Sequence, residues 1–156
     1  MSRRRRAEKR PIEKDSRYSS ELITKLINRV MLDGKKSTAR TIVYGALEKF
    51  AKKVNQENTL VAFEQALENA MPLLEVKSKR IGGATYQVPC EISPERRISM
   101  GMKWIITSAR SKSGRSMQDG LSMELADCFQ NQGSTIKKKD DTHRMAEANK
   151  AFASLK

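Results

Sequence analysis

The chain has 156 residues, of which 38% are hydrophobic and 31% charged. That is enough for one domain with its own core, and too apolar for a wholly disordered chain. Thirty-one Lys and Arg face eighteen Asp and Glu, and the net charge of +13 points to a polyanionic partner. No run of about 18 apolar residues occurs, so no membrane span is expected.

Residues 1–17 hold eight basic side chains (Arg3, Arg4, Arg5, Arg6, Lys9, Arg10, Lys14, Arg17) against Glu8, Glu13 and Asp15. They show no apolar period, and like charges keep such a segment extended until a partner orders it. The arginines run on into Pro11 and Glu13 without the apolar stretch of a secretory signal, so secretion is not expected. The expected organisation is a basic tail over residues 1–17 and one helical domain over residues 18–156. Deleting the tail should weaken binding and leave thermal stability almost unchanged.

Helical periodicity starts at Ser20, with Leu22, Ile23, Leu26, Ile27, Val30 and Met31 on one face. Asp33-Gly34 stops it, and Gly34 suits a left-handed position. Ser37 or Thr38 can cap a second helix, whose stripe is Val43, Leu47, Phe50 and Val54. A third helix follows from about Asn58 with Phe63, Ala66, Leu67 and Ala70 inward, and Pro72 ends it.

The period then changes to two. Residues 75–80 and 84–92 alternate like strands around Ile81-Gly82-Gly83, and paired glycines provide the positive backbone angles of a tight hairpin turn. The hairpin is placed at about residues 74–92. A lone ribbon is marginal in water, so this one is expected to project from the helices and lean on a partner. Ser93-Pro94 opens a fourth helix with Ile98, Met102, Ile105 and Ala109 buried. Ser116 opens a fifth, carrying Leu121, Leu125, Cys128 and Phe129. A sixth carries Met145, Ala148, Phe152 and Leu155, and either Ser134 or Asp141 can cap it. The expected fold class is mainly α: a bundle of about six helices with one projecting two-stranded β-hairpin between the third and fourth.

The excess charge gathers on appendages. Residues 21–71 are nearly balanced, with eight basic side chains against six acidic. Lys77, Lys79 and Arg80 approach the hairpin tip, and Arg96 and Arg97 follow its base. Lys35 and Lys36 sit in a helix connection, and Arg110, Lys112 and Arg115 lie around a helix end. Lys137 and Lys138 lead toward His143 and Arg144. A basic ribbon of this kind can lie along a nucleic-acid groove. Edge protection by charge is the bland reading of the hairpin, and a dipole-complementing role is the bland reading of Arg110. Aromatic residues are only 5% of the chain and no strand carries a paired aromatic platform, so recognition by shape and phosphate is expected.

No catalytic constellation emerges. Cys90 and Cys128 form no CxxC pair, and with a single histidine they cannot make the usual four-ligand zinc set. Both fall on apolar stripes and read as reduced core thiols. A Cys-His hydrolase built on His143 and Asp140 is the enzyme alternative; no phosphate loop or metal spacing supports it. No enzyme activity, cofactor or metal is expected. An architectural DNA-binding protein with a basic β-ribbon is the alternative within nucleic-acid binding.

Four stretches carry a resemblance. They are residues 32–37 (LDGKKS), residues 76–89 (VKSKRIGGATYQVP), Lys103-Trp104-Ile105, and residues 142–152 (THRMAEANKAF). Together they resemble the bacterial and organellar family of small-subunit ribosomal protein number seven, over nearly the whole chain. The resemblance implies a structural, non-enzymatic protein of the small ribosomal subunit. It implies binding to the 3′ major domain of the small-subunit rRNA, seeding of head assembly, and a position near the exit tRNA site and the mRNA path. Ribosomal protein eleven is the implied neighbour of the last helix. The tail, the Lys35-Lys36 loop and the hairpin base are implied to meet rRNA, and the hairpin tip and chain end to look toward the exit site. The implied location is the ribosome, in the cytoplasm or in an organelle stroma or matrix.

Overall fold

The structure is a computed structural model that describes residues 10–155, so Arg3, Arg4, Arg5, Arg6 and Lys9 lie outside the described residues. Helix α1 (Glu21–Val30) buries Ile23, Leu26, Ile27 and Val30, the stripe their spacing predicts. The chain leaves it through Asp33 and Gly34, both left-handed at φ 52° and 73°. Helix α2 (Lys36–Val54) begins before either expected cap. Lys35 holds the cap position without a side-chain hydrogen bond, and Ser37 and Thr38 fall inside the helix. The tight turn substitutes for a cap: the Lys36 N–H donates to the Gly34 carbonyl at 2.8 Å. Helix α3 (Thr59–Ala70) starts as expected, with Asn58 Oδ1 accepting from the N–H groups of Leu60 and Val61 at 3.1 and 3.3 Å.

Strands β1 (Leu74–Ile81) and β2 (Ala84–Glu91) pair antiparallel with Ile81 opposite Ala84. Gly82 and Gly83 make the two-residue turn, with φ 56° and 94°. Positive φ at both central residues matches the right-handed twist of the strands. Helices α4 (Pro94–Ser111), α5 (Met117–Phe129) and α6 (Gly133–Ala148) follow, and a 3-10 helix (Lys150–Leu155) is the last described element. The mainly α bundle with its single hairpin between α3 and α4 is as the sequence predicts.

Helix α5 is the hub: it packs on α2, α3, α4 and α6. Its Leu121, Leu125 and Cys128 meet Phe50, Phe63, Leu67, Met102 and Ile105 in one apolar core. The α4–α5 crossing is close at Gly120, where an added Cβ would lie 2.7 Å from the Ala109 carbonyl oxygen. Helix propensity alone favours Ala over Gly by about 1 kcal/mol. Here the obstruction is backbone, which no rotamer relieves, and overpacking costs about 1–3 kcal/mol. Gly120→Ala is therefore expected to be net destabilising, read as a lower urea midpoint. An unchanged or higher midpoint would show that the helices can separate freely.

Three expectations change. The hairpin leans on its own chain: β1 packs on α6 and β2 on the 3-10 helix. The Tyr86 and Phe152 rings meet at a tilt of 54° with centroids 5.4 Å apart, and the Leu73 N–H donates to His143 Nε2 at 2.9 Å. The sixth helix starts at Gly133, ahead of both Ser134 and Asp141, and its inward residues are Thr135, Ile136 and Ala146. Met145 points outward at 55% exposed, and Phe152 belongs to the 3-10 helix. Finally, residues 15–18 are fastened to the body. Asp15 is buried, accepts from the Tyr44 hydroxyl at 2.7 Å and from the N–H groups of Arg17 and Tyr18 at 3.0 and 3.1 Å. Arg17 lies over the Tyr18 and Tyr44 rings and pairs with Glu48 at 2.7 Å.

Candidate nucleic-acid interface

Cross-strand pairing sets which cations share a face of the ribbon. Lys77 stands opposite Val88 and Lys79 opposite Tyr86, so both lysines lie on the face that turns toward α6 and the 3-10 helix. Arg80, opposite Thr85, lies on the other face. All three are exposed, so the ribbon presents cations on both sides of its tip.

At the hairpin base one acid organises the cations. Glu75 is 6% exposed; Arg96 grips both its oxygens, Nε at 3.0 Å and Nη2 at 2.8 Å, and Lys77 Nζ lies 3.2 Å away. The Arg96 hydrogen bonds outweigh the burial that opposes them and, with Lys77, hold the carboxyl below its usual range. Arg97 Nε donates to the Pro72 carbonyl at 3.1 Å. The base thus fixes α4 to the strand while the Arg96 side chain keeps more than half its surface in solvent.

The other candidate residues divide by what they touch. Lys35 and Lys36 are exposed at the start of α2, where no acid occupies the first turn. Among the described residues, the side chains of Arg10, Lys35, Lys36, Arg80 and Lys137 have no hydrogen-bond or ion-pair partner. Lys138 lies over the Trp104 ring at 5.8 Å, and Arg144 sits 3.5 Å from Asp141, both at exposed positions. Arg110 donates to the Val30 carbonyl at 3.2 Å and so closes the end of α1, while Arg115 is paired with Met123 Sδ.

Lys112 and His143 face inward. Lys112 Nζ is 2.9 Å from Glu124 and 3.0 Å from Asp127. Glu124 is fully buried, and its second oxygen accepts from the Thr135 N–H at 3.0 Å and hydroxyl at 2.6 Å. This carboxylate on α5 therefore caps α6 across the fold, a role for which no local spacing exists. His143 Nε2 accepts from the hairpin base, so that nitrogen carries no proton, and burial together with Lys139 and Arg97 lowers its pKa against the pull of Asp140. Cys128 is fully buried and its thiol is pushed up to about 12, chiefly by burial, which removes it as a nucleophile at neutral pH. Cys90 is half-buried on β2.

The described residues define a class: a helical scaffold with exposed, unpartnered cations spread over a ribbon, a loop and several helices. They contain no group of His, Cys, Asp and Glu able to hold a metal and no helix long and apolar enough to cross a membrane. The family profile described as Ribosomal protein S7p/S5e matches residues 2–150. The small ribosomal subunit protein uS7 of Protochlamydia amoebophila is 67% identical over all 156 residues and 99% of its own length. Those of Chlamydia pneumoniae and Chlamydia trachomatis are 63% and 62% identical over the same span. The chain belongs to the ribosomal protein S7p/S5e family. It is a structural component of the small ribosomal subunit and works in translation, with rRNA and neighbouring ribosomal proteins around it.

Proposed function

We propose that this chain clamps the 3′ major domain of the small-subunit rRNA and seeds assembly of the subunit head. It then lies near the exit tRNA site and the mRNA path, with ribosomal protein eleven beside its last helix and its hairpin tip turned toward the exit site. The observation that carries this reading is the sorting of cations. Acids neutralise Lys112, while Lys35, Lys36, Arg80 and Lys137 stand exposed on separate elements without hydrogen-bond or ion-pair partners among the described residues. Charges spread in this way suit several RNA helices at once, because each contacted phosphate releases counterions wherever it lies. Arg3, Arg4, Arg5, Arg6, Lys9 and Arg10 extend the same clamp as a basic tail.

Co-sedimentation with small subunits, followed by crosslink mapping on the rRNA, tests the assignment. Crosslinks from the hairpin and the Lys35-Lys36 loop into the 3′ major domain are expected. Crosslinks confined to another rRNA domain, or equal competition by duplex DNA, would overturn it. The anchoring of Asp15 also moves the boundary of the dispensable tail. Removing residues 1–14 is expected to weaken RNA affinity at constant thermal midpoint. Removing residues 1–17 also deletes the buried Asp15 contacts, worth about 1–2 kcal/mol, and should lower the midpoint by a few degrees. Equal midpoints for the two truncations would contradict that anchoring.

A further inference from the structure

Strand β1 joins the bundle through Met71, Pro72 and Leu73, and side chains from two other helices meet the polar groups of that connector. The Met71 N–H stays with its own helix and donates to the Leu67 carbonyl at 3.0 Å. Pro72 has no N–H to place. Lys139 Nζ on α6 donates to the Asn69 carbonyl at 2.6 Å, and Arg97 Nε on α4 donates to the Pro72 carbonyl at 3.1 Å. The Leu73 carbonyl accepts from the Ile92 N–H at 3.2 Å, which closes the base of the hairpin. The Leu73 N–H remains, and its acceptor is His143 Nε2 at 2.9 Å. Leu73 itself is 56% exposed, so polar contacts rather than apolar burial hold it in place.

The three side chains that grip this segment differ in kind. Lys139 and Arg97 donate, whereas His143 accepts, and an imidazole nitrogen accepts only while it carries no proton. A proton added to Nε2 would set two donors against each other across 2.9 Å. Charges around the ring oppose that proton too: burial acts first, then Lys139 from the same helix and Arg97 from α4, with Asp140 as the opposing acid. The ring is half-buried, so water reaches it. A second tie does not involve His143, since Glu75 binds β1 to Arg96 at the start of α4.

We propose that His143 is the positioning residue of the hairpin: its neutral imidazole latches Leu73 to α6, and protonation frees the ribbon to pivot about the Glu75–Arg96 pair. The latch is closed at neutral pH and opens in acid. The sign follows from the lowered folded pKa, because stabilisation by the neutral ring is present above the ordinary 6.5 and is lost as pH falls through the folded value. The pivot changes the spacing between Arg80 on the ribbon and the Lys35-Lys36 loop on the body. Its consequence for RNA rests on the clamp proposed above, since two linked contacts bind best when their spacing matches the two sites.

The first test uses the full chain without RNA. On acidification from about pH 7.5 to about pH 5, the Leu73 amide signal is expected to move with the midpoint of the His143 ring. Residual dipolar couplings of the β1 and β2 amides should change at the same midpoint relative to those of α2 and α5. Gln can place its amide oxygen where Nε2 stands and does not titrate. His143→Gln is therefore expected to keep the neutral couplings at both ends of the range, and His143→Phe to show the acid couplings throughout. A Leu73 signal indifferent to the His143 midpoint, or a transition that persists in His143→Gln, overturns the latch. If His143→Phe does not fold, the parent titration and His143→Gln decide alone. In the second test, at neutral pH, His143→Phe is expected to bind the 3′ major domain rRNA about fivefold more weakly with the salt slope unchanged, because no charge is lost. His143→Gln should bind like the parent. Parental affinity in a His143→Phe chain with displaced couplings would overturn the positioning role. Failure of the parent to bind this rRNA at low salt would sink the clamp, while the latch is decided by the couplings without RNA.

Discussion

Raising monovalent salt from about 50 to about 200 mM is expected to weaken binding to the 3′ major domain rRNA roughly a thousandfold, for a clamp of about six phosphates. On a log–log plot the slope is expected between about −4 and −5, because each contacted phosphate contributes about 0.7 to 0.9. The structure separates cations that should enter that slope from one that should not. Arg80 is exposed and unpartnered among the described residues, so Arg80→Ala should reduce the slope by about one contact. Lys112 has only 23% of its side chain exposed and is held by Glu124 and Asp127, so Lys112→Met should leave the slope unchanged. A flat plot for the parent chain would remove the phosphate mechanism. A slope that falls in Lys112→Met and not in Arg80→Ala would mean that the ion pairs open on binding.

Lys112→Met should instead strike the fold. It leaves the fully buried Glu124 carboxylate without its countercharge, and breaking such a pair from one side costs about 3–5 kcal/mol. Partial exposure of Lys112 and Asp127 lets water replace some of that, so a loss of about 2–4 kcal/mol is expected. Glu124→Gln keeps an acceptor for Thr135 and discards the charge, and is expected to be milder. The double variant should be more stable than Lys112→Met alone, since removing the orphaned charge relieves the penalty. Denaturant midpoints for the three variants decide this: a Lys112→Met midpoint equal to the parent's would mean the pair contributes nothing.

The same carboxylate predicts an acid limb in stability. Burial raises the pKa of Glu124, but the hydrogen bonds from Thr135 and the ammonium charge of Lys112 beside it outweigh that, and the folded value lies below the ordinary 4.5. A depressed folded pKa means that the unfolded chain binds the proton more readily. The stabilisation is therefore fully present above the ordinary value and is lost as pH falls through the folded one. Asp15 behaves with the same sign: burial opposes, and the Tyr44 hydroxyl and two backbone N–H groups prevail. Glu124→Gln should flatten part of this limb in a denaturation series against pH, and a limb of unchanged steepness would place the acid sensitivity elsewhere.

How much was legible follows from the range of each interaction. The Asn58 cap, Pro72, the Gly82-Gly83 turn and the Ser93-Pro94 start act within four residues of themselves, and all four stand where their local chemistry puts them. The apolar stripes of α1, α3 and α5 were readable because burial repeats with the helical period. Helix α6 was not, because its inward side is set by Glu124 on α5 and by the hairpin, and Thr135 is buried there for its hydroxyl. The cationic surface was visible as composition, but the partner of each cation was not. Lys112 and Lys137 look alike in sequence, and one is locked in an internal ion pair while the other is exposed.

The amino-acid sequence by itself determined the helices, the hairpin and its turn, and the surplus of positive charge, since these depend on residue type, period and short-range caps. Tertiary structure alone decided which cations are neutralised, how the hairpin is braced by Phe152 and His143, and that Arg29 ties α1 to α4 at Ser99. The reason is distance along the chain. Arg29 and Ser99, like Leu73 and His143, are 70 residues apart, and a contact between such positions exists only once the intervening helices have packed.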